Sequence, residues 1–510
     1  MAQGPVIFRE VLFQYDAAAG PLFEGLTAHF PVGWTAVAGP NGSGKTTLLK
    51  LATGTLAALA GQVVRPGSAI YCPQRTDDVP GMLADLIDAA DAHAAEIRGR
   101  LGIQPDWVQR WDTLSHGERK RAQVGVMLWR RPHMLAVDEP TNHLDADARR
   151  LLAEALRTFR GVGLLVSHDR ELLDTLCRQC LFLDPPEAVM RPGSYTQGVA
   201  QAREEQEHAG KRRAIARKAH KKLRREVGKR RDAANQADGK RSKRGLTKGQ
   251  HDAKEKIDRA RVTGKDGAAG RLLDQLEGRL RRAEEHLASV RVKKTYDLGI
   301  WVPGLRSERD TLFRLEAGSL PLGEDRVLRF PDLVMHPDDR IAVVGPNGSG
   351  KSTLVRHIIQ ALSIPAEHVT YLPQEIDLAS SRDILQRARA LPKDRLGRMM
   401  TVVSCLGSRP ERLLASDEPS PGETRKLLLA LGIAHQPHLI VMDEPTNHLD
   451  LSSIECLEVA LGDCPCGLLL VSHDRRFLRC LTRKQWGIAP EQGRPGAFRL
   501  GKSRGSASGP

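Results

Sequence analysis

Two lysines, each closing a glycine-rich loop, carry the first chemistry in this sequence. Gly39–Thr46 reads GPNGSGKT and Gly345–Ser352 reads GPNGSGKS. The G-x-x-x-x-G-K-[ST] spacing makes a phosphate cradle. Gly42 and Gly44, like Gly348 and Gly350, let the backbone turn so that successive N–H groups face an anion. The helix expected to follow adds its positive end. Lys45 and Lys351 would reach the β- and γ-phosphates of a nucleotide, and Thr46 and Ser352 would hold Mg2+. Gly39, Asn41 and Thr47, with Gly345, Asn347 and Thr353, complete the two loops.

Two further motifs repeat in the same order, about 305 residues apart: DEPTNHLD at Asp138–Asp145 and Asp443–Asp450, and VSHDR at Val166–Arg170 and Val471–Arg475. Asp138 and Asp443 follow apolar runs, and an aspartate at a strand end can bind the water shell of Mg2+. The adjacent Glu139 and Glu444 are placed to orient or deprotonate an attacking water. Asp417–Glu418–Pro419 also spells DEP, but it lacks the apolar run and reads as a loop. A repeat of this size is a duplicated domain rather than a solenoid unit.

The elements that must position these residues are legible. Thr35–Ala38 is a short apolar strand ending in the first loop, and a helical pattern follows from Lys45 to Leu51. Met134–Val137 and Leu164–Val166 are continuous apolar runs, as parallel strands buried on both faces require. Leu83–Arg130 reads as mostly helical. Ile341–Val344, Leu439–Met442 and Leu468–Val471 repeat the strands. These patterns predict an α/β fold with two nucleotide-binding domains, 4–195 and 301–495. A linker spans 196–300, and a flexible polar tail spans 496–510.

The linker is different in kind. Residues 203–294 hold 30 Lys/Arg against 14 Asp/Glu, whereas the rest of the chain holds 47 against 48. The net charge of +15 therefore sits in this segment and suggests an acidic partner. Ile215, Ala219, Leu223 and Val227 give the first part a thin apolar stripe. Leu273, Leu276, Leu280, Ala283, Leu287 and Val290 step by 3,4,3,4,3, a heptad seam. The reading is an antiparallel helical hairpin with a glycine-punctuated basic tip around Lys240–Lys265. No Phe, Tyr or Trp lies between Tyr195 and Tyr296, which favours phosphate and shape contacts over base stacking.

No secretory signal opens the chain, and no stretch reaches the ~18 apolar residues of a membrane span. Eight cysteines in 510 residues do not suggest a disulfide framework. Cys177 with Cys180, and Cys464 with Cys466, read as packing thiols. A reducing cytoplasm is the expected location.

Taken together, both units resemble the ATP-binding cassette superfamily. That resemblance implies ATP and Mg2+ as ligands and gives further residues roles. Gln74 in YCPQ and Gln374 in YLPQ look like the Q-loop glutamines that sense Mg2+ and the attacking water. His168 and His473 look like the switch histidines on the γ-phosphate. Tyr15 sits where the family stacks an aromatic on adenine; Pro321 and Leu322 stand at that distance before the second loop. Ser115, Gly117 and Glu118 in LSHGE, and Ser420, Gly422 and Glu423 in SPGE, resemble the signature motif. His116 and Pro421 replace its usual middle glycine. Each signature would serve the opposite cradle, pairing Lys45 with Ser420 and Lys351 with Ser115 in an intramolecular sandwich of one monomer.

Two such units joined by a basic helical linker resemble the ABC-F group, as do EPTNHLD after each catalytic carboxylate's strand and SPGETRKLLLALGIA at Ser420–Ala434. Members of that group act on the ribosome, with the linker directed at rRNA and tRNA. Housekeeping translation factor and antibiotic-resistance ribosome protection both fit. Only 40 positions separate Gln74 from Leu114, leaving no room for the arm insertion of some housekeeping members, and this leans toward protection. A DNA-associated cassette ATPase and a non-hydrolysing RNA scaffold are the alternatives.

Overall fold

The computed structural model describes residues 4–16, 20–142, 144–241, 266–289, 304–323, 325–408, 410–415, 419–447, 449–494 and 496–504. The chain divides into two compact units. One joins Met1–Gly198 with Tyr296–Pro510, and the other is Val199–Thr295. Asp417 and Glu418, Val290 and the basic tip at 242–265 lie outside the described residues.

The first cassette is built on a six-stranded sheet. Its order is Ala69–Cys72, Met134–Asp138, Val162–Val166, Gly33–Ala38, Cys177–Asp184 and Glu187–Pro192. All neighbours are parallel except the last pair. Met134–Asp138 and Val162–Val166 are buried along their whole length, which explains their unbroken apolar character. A second, antiparallel sheet of Phe23–Phe30, Val6–Phe13 and Ala60–Val64 packs its Phe8, Phe13, Phe23 and Phe30 into the same core as the helix Lys45–Thr53.

The second cassette repeats the central strands, parallel and in the same order: Val369–Leu372, Leu439–Asp443, Gly467–Val471, Arg340–Val344 and Lys484–Pro490. Its sheet extends to eight strands, and here the expected tail proves wrong. Ala497–Arg504 is a strand, antiparallel to Lys484–Pro490 and parallel to Val327–Phe330. Its alternation turns Phe498 and Leu500 to the core face while Arg499 points out. The polar half of a one-sided strand is what read as a frayed end.

Among the described residues the linker unit contains two helices, Tyr195–Arg241 (whose first residues belong to the cassette unit) and Asp266–Ser289. They run antiparallel: His220 Nε2 meets Glu284 Oε1 at 3.2 Å and Arg231 donates to Glu277 Oε1 at 2.5 Å. Leu273, Leu276, Leu280, Ala283 and Leu287 are the sheltered face of the second helix, as the heptad implies. On the first helix the stripe is displaced. Ala216 and Val227 are buried and Leu223 is half-buried, whereas Ile215 is 68% exposed and Ala219 also faces solvent. Uniform steps of four drift around a helix of 3.6 residues per turn, whereas Ala216, His220, Leu223 and Val227 step by 4,3,4 and hold one seam.

Cys177 and Cys180 are buried free thiols, and burial pushes Cys180 up to about 12. Cys464 and Cys466 instead form a disulfide across Pro465, where packing thiols were expected. Their Cα atoms stand 5.5 Å apart, within reach of a bridge, and sequence spacing alone could not reveal that approach. No group of three metal-ligating side chains occurs among the described residues. Nor does any described helix have the length and apolarity to cross a membrane.

Candidate active site

Both phosphate loops adopt the nest their glycines allow. Gly42 and Gly44 have φ of 80° and 91°, and Gly348 and Gly350 have 74° and 91°. A side chain at Gly44 would also press into Phe23 and Leu22. The helices Lys45–Thr53 and Lys351–Gln360 start directly from these turns. Lys45 Nζ donates to the carbonyls of Gly39 (2.9 Å) and Pro40 (3.0 Å), and Lys351 does the same to Gly345 and Pro346 at the same distances. Burial lowers both lysines from their ordinary value, and the nearby acids oppose it: Glu139, Asp450 and Asp138 for Lys45, Glu444 first for Lys351.

The acids stand at the strand ends. Thr46 Oγ1 donates to Asp138 Oδ2 at 2.7 Å, and Tyr71 OH donates to the same oxygen at 3.0 Å. In the second site Ser352 Oγ donates to Gln374 Oε1 at 3.3 Å. Both oxygens of Asp443 are buried there without a hydrogen bond of normal geometry, as a cation-ready carboxylate would be. Glu139 and Glu444 carry φ of 44° and 50°, left-handed values that a side chain adopts only under constraint. The constraint is visible: each N–H bonds back to the neighbouring strand, at Val166 O and Val471 O, both 2.8 Å. Burial first, then the adjacent aspartate, pushes Glu139 up to about 8. Burial raises Glu444 to about 7, with Arg149 and Lys351 opposing.

The histidines differ between sites. His168 donates its N–H to Glu139 Oε2 (3.1 Å) and sets Nε2 3.1 Å from Oε1. His473 keeps its N–H 3.4 Å from Glu444 Oε2, but its ring Nε2 meets Asn347 Oδ1 at 3.0 Å and lies 3.6 Å from Glu444 Oε1. Burial, Lys351 and Arg149 together hold His473 down at about 3.

The signature serines serve a local purpose that their spacing also encodes. Ser115 and Ser420 are N-caps of His116–Trp129 and Pro421–Ala434, each closing a capping box with Glu118 or Glu423. Pro421 fits because the first helical position needs no N–H donor.

The two cavities are unequal. The first, 1190 Å³, is lined from one cassette by Tyr15, Lys45, Thr46, Gln74, Glu139 and His168, and from the other by Ser420, Gly422, Glu423 and Asp450. The expected pairing of Lys45 with Ser420 is present. The second, 610 Å³, holds Lys351, Ser352, Gln374, Glu444 and His473 with Leu322, but the opposite cassette contributes His116 and Arg149. Of the first signature, His116 borders this cavity and Ser115, Gly117 and Glu118 do not, whereas Ser420, Gly422 and Glu423 all border the first.

Sequence reasoning missed three groups. Asp450 Oδ2 accepts the N–H of Asn41 across the interface at 3.1 Å; its place at the end of a repeated motif was the available signal. Arg425 is buried and donates to the carbonyls of Glu444 (2.9 Å), Asn447 (3.0 Å), Pro373 (3.1 Å) and Gln374. Arg149 donates to His473 O at 3.1 Å from the other cassette, and no local pattern pointed to it.

This fold and these paired cavities define a tandem ATP-binding cassette ATPase. The ABC transporter family model matches residues 28–142 and 328–447. The chain is 27% identical over 478 residues to the ribosome protection protein VmlR of Bacillus subtilis, spanning 89% of this chain and 81% of that one. It is 26% identical over 534 residues to the energy-dependent translational throttle protein EttA of Escherichia coli O6:H1, spanning 88% and 86%. In fold it is similar to archaeal ribosome recycling factor aABCE1, with a TM-score of 0.60 and 17% identity over 96% of this chain and 89% of that one. The chain thus carries the ABC transporter domain twice, and its likeness to these relatives supports its reading as an ABC-F ATPase.

Proposed function

We propose that the chain is a cytoplasmic ribosome-binding ATPase in which ATP clamps the two cassettes and the basic linker, residues 203–294, contacts rRNA and tRNA. The observation that carries the clamp is the first cavity, walled by the cradle of one cassette and the signature of the other. A γ-phosphate between them would be gripped from both sides, and hydrolysis would remove the charge they share.

Thr46, Asp138 and Gln74 would hold one Mg2+, and Ser352, Asp443 and Gln374 the other. Held by these residues, Mg2+ would supply charge neutralisation of the phosphates. The chain supplies the rest. Lys45 and Lys351 stand ready to exchange loop carbonyls for phosphate oxygens. Glu139 and Glu444, buried and fixed by the N–H groups of His168 and His473, accept a proton from water at Oε1 or Oε2. Replacing both lysines (K45A/K351A) is expected to bring ATP-dependent phosphate release to the buffer background, measured in steady state.

The linker supports a nucleic-acid partner. A groove of 920 Å³ on its first helix is lined by Arg213, Arg217, Lys218, Lys221 and Arg224. Such a row favours backbone phosphates and makes binding salt-dependent. R217A/K221A is expected to weaken ribosome binding and flatten its log–log salt dependence by about one unit for each phosphate no longer neutralised. An unchanged slope would remove these residues from the interface.

The reading as a whole is tested by co-sedimentation. E139Q/E444Q in ATP should pellet with ribosomes and should not do so in ADP. Failure to pellet would overturn it, and ATPase stimulation by DNA in place of ribosomes would favour a DNA-handling role. The short span from Gln74 to the signature, with helices at Leu83–Asp88 and Ala92–Leu101 as its main elements, favours antibiotic protection over a housekeeping role. Growth with and without the gene across ribosome-targeting drugs separates them: a shift confined to one drug group supports protection, and slow growth without drug supports housekeeping.

A further inference from the structure

His473 is held from two cassettes. Its ring meets Asn347 of its own phosphate loop at 3.0 Å. Its backbone carbonyl accepts an N–H from Arg149 at 3.1 Å, from a residue 324 positions away. Arg149 is itself aimed: its Nε donates to Leu144 O at 3.0 Å, and Nη1 lies 3.6 Å from Asp169 Oδ2. The side chain is 19% exposed and lines the second cavity beside Lys351, Ser352 and Glu444.

The duplication makes this arrangement one-sided. The repeat places Ile454 where the first cassette has Arg149. Ile454 is fully buried in the core of its own cassette and has no side-chain donor. At the first cradle a carboxylate from across the interface, Asp450, takes the N–H of Asn41. The two histidines stand differently to match. His168 lies 3.1 Å from its glutamate through the ring, and His473 lies 3.6 Å from its own.

We propose that Arg149 is a positioning residue for the second ATP site, supplied in trans, which fixes the backbone of His473 and thereby sets its ring beside Asn347 and Glu444. A carbonyl tied to a guanidinium cannot rotate freely, and the ring that follows it inherits that restraint. Because the donor belongs to the opposite cassette, the second site is assembled only while the cassettes are together. Ile454 denies the first site the same control, so the two sites answer differently to closure.

This inference rests on the reading of His473 and Glu444 as hydrolytic residues, and the test keeps the two apart. Steady-state ATP hydrolysis of the full chain is measured with the first site silenced by E139Q throughout, this parent serving as the wild type of the series, for R149I, R149K, H473A, E444Q and R149I/H473A. R149I copies the residue of the other repeat. Its kcat is expected to fall about 10-fold or more, within the range that a ~1 Å misplacement produces, with KM little changed. R149K can keep one N–H on the carbonyl and should recover much of the loss; it also carries the test if R149I melts early. In the H473A background R149I should add little, because both changes remove the same positioned ring. Wild-type kcat in R149I, no recovery in R149K, or an undiminished effect of R149I on top of H473A would each overturn the proposal. Wild-type hydrolysis by both H473A and E444Q would instead refute the reading beneath it.

Discussion

Replacing Glu139 and Glu444 by glutamine is expected to lower ATP turnover by about 10²–10⁴-fold, the range of a lost general base. The amide keeps the size and most of the hydrogen-bond geometry of the acid. The N–H of His168, 3.1 Å from Glu139 Oε2, can still donate to an amide oxygen. What is lost is proton affinity at the position facing the cradle. KM for ATP should change little, since Lys45, Lys351 and the loop N–H groups are untouched. A double variant that hydrolyses ATP within a few-fold of wild type would remove both glutamates from the chemistry.

The same substitution makes a stability prediction of definite sign. Glu139 is raised from 4.5 to about 8, and Glu444 to about 7, mainly because burial disfavours the charge. A group whose folded value lies above its unfolded one contributes stability that is complete below 4.5 and lost as pH climbs through the folded value. Wild type therefore loses stability between about pH 4.5 and 8 through these two groups, and the glutamine variant does not. Thermal midpoints of the nucleotide-free proteins should coincide near pH 4.5 and separate in favour of E139Q/E444Q toward pH 8. A gap that closes as pH rises would contradict the burial argument.

What the sequence disclosed and what it hid follow from the range of the interactions. The loops, the strand-end acids and the central strands are local. Glycine at fixed offsets and four apolar residues in a row are compatible with few local structures, and Gly42, Lys45, Asp138 and Glu139 stand where their motifs imply. The strain at Glu139 and Glu444 was not legible, because a left-handed glutamate is imposed by a neighbouring strand rather than chosen by its own propensity. Arg149 and Asp450 act across the interface, where no spacing rule applies. Ala497–Arg504 was misread because only two of its residues face the core. Ala216 was overlooked because a stripe of fours looks regular on paper but precesses on a real helix.

Removing Glu458 should destabilise the cassette unit by about 3–5 kcal/mol, the cost of stranding one member of a buried ion pair. Arg170 is 1% exposed, and its guanidinium crosses from the first cassette to the second. Nη1 donates to Glu458 Oε2 at 2.8 Å, Nη2 donates to Oε1, and Nη2 also lies 3.3 Å from Asp474 Oδ2. In E458A the guanidinium keeps Asp474 as its hydrogen-bonding acid, with Glu455 acting only through its charge; the other oxygen of Asp474 already caps the helix Arg475–Leu481 through Phe477 N–H at 2.9 Å. Nearby contacts stitch the same edge: Tyr195 OH reaches Glu455 at 3.4 Å and Arg476 donates to Thr196 at 2.9 Å. The opposite edge is built otherwise. Arg475 is the repeat's counterpart of Arg170, and the position matching Glu458 is Ala153. Arg475 is exposed and borders a 270 Å³ cavity that Ala153 also lines. R475A should therefore shift the thermal midpoint by no more than a surface change, about 0.5 kcal/mol or less. The cassettes are thus joined by a buried ionic contact on one edge and a hollow on the other. A clamp that opens while staying in one piece would part first at the edge of Arg475 and Ala153. A crosslink engineered across that edge should respond to nucleotide, whereas one beside Arg170 and Glu458 should not. Equal melting losses in E458A and R475A would mean that the asymmetry carries no energy.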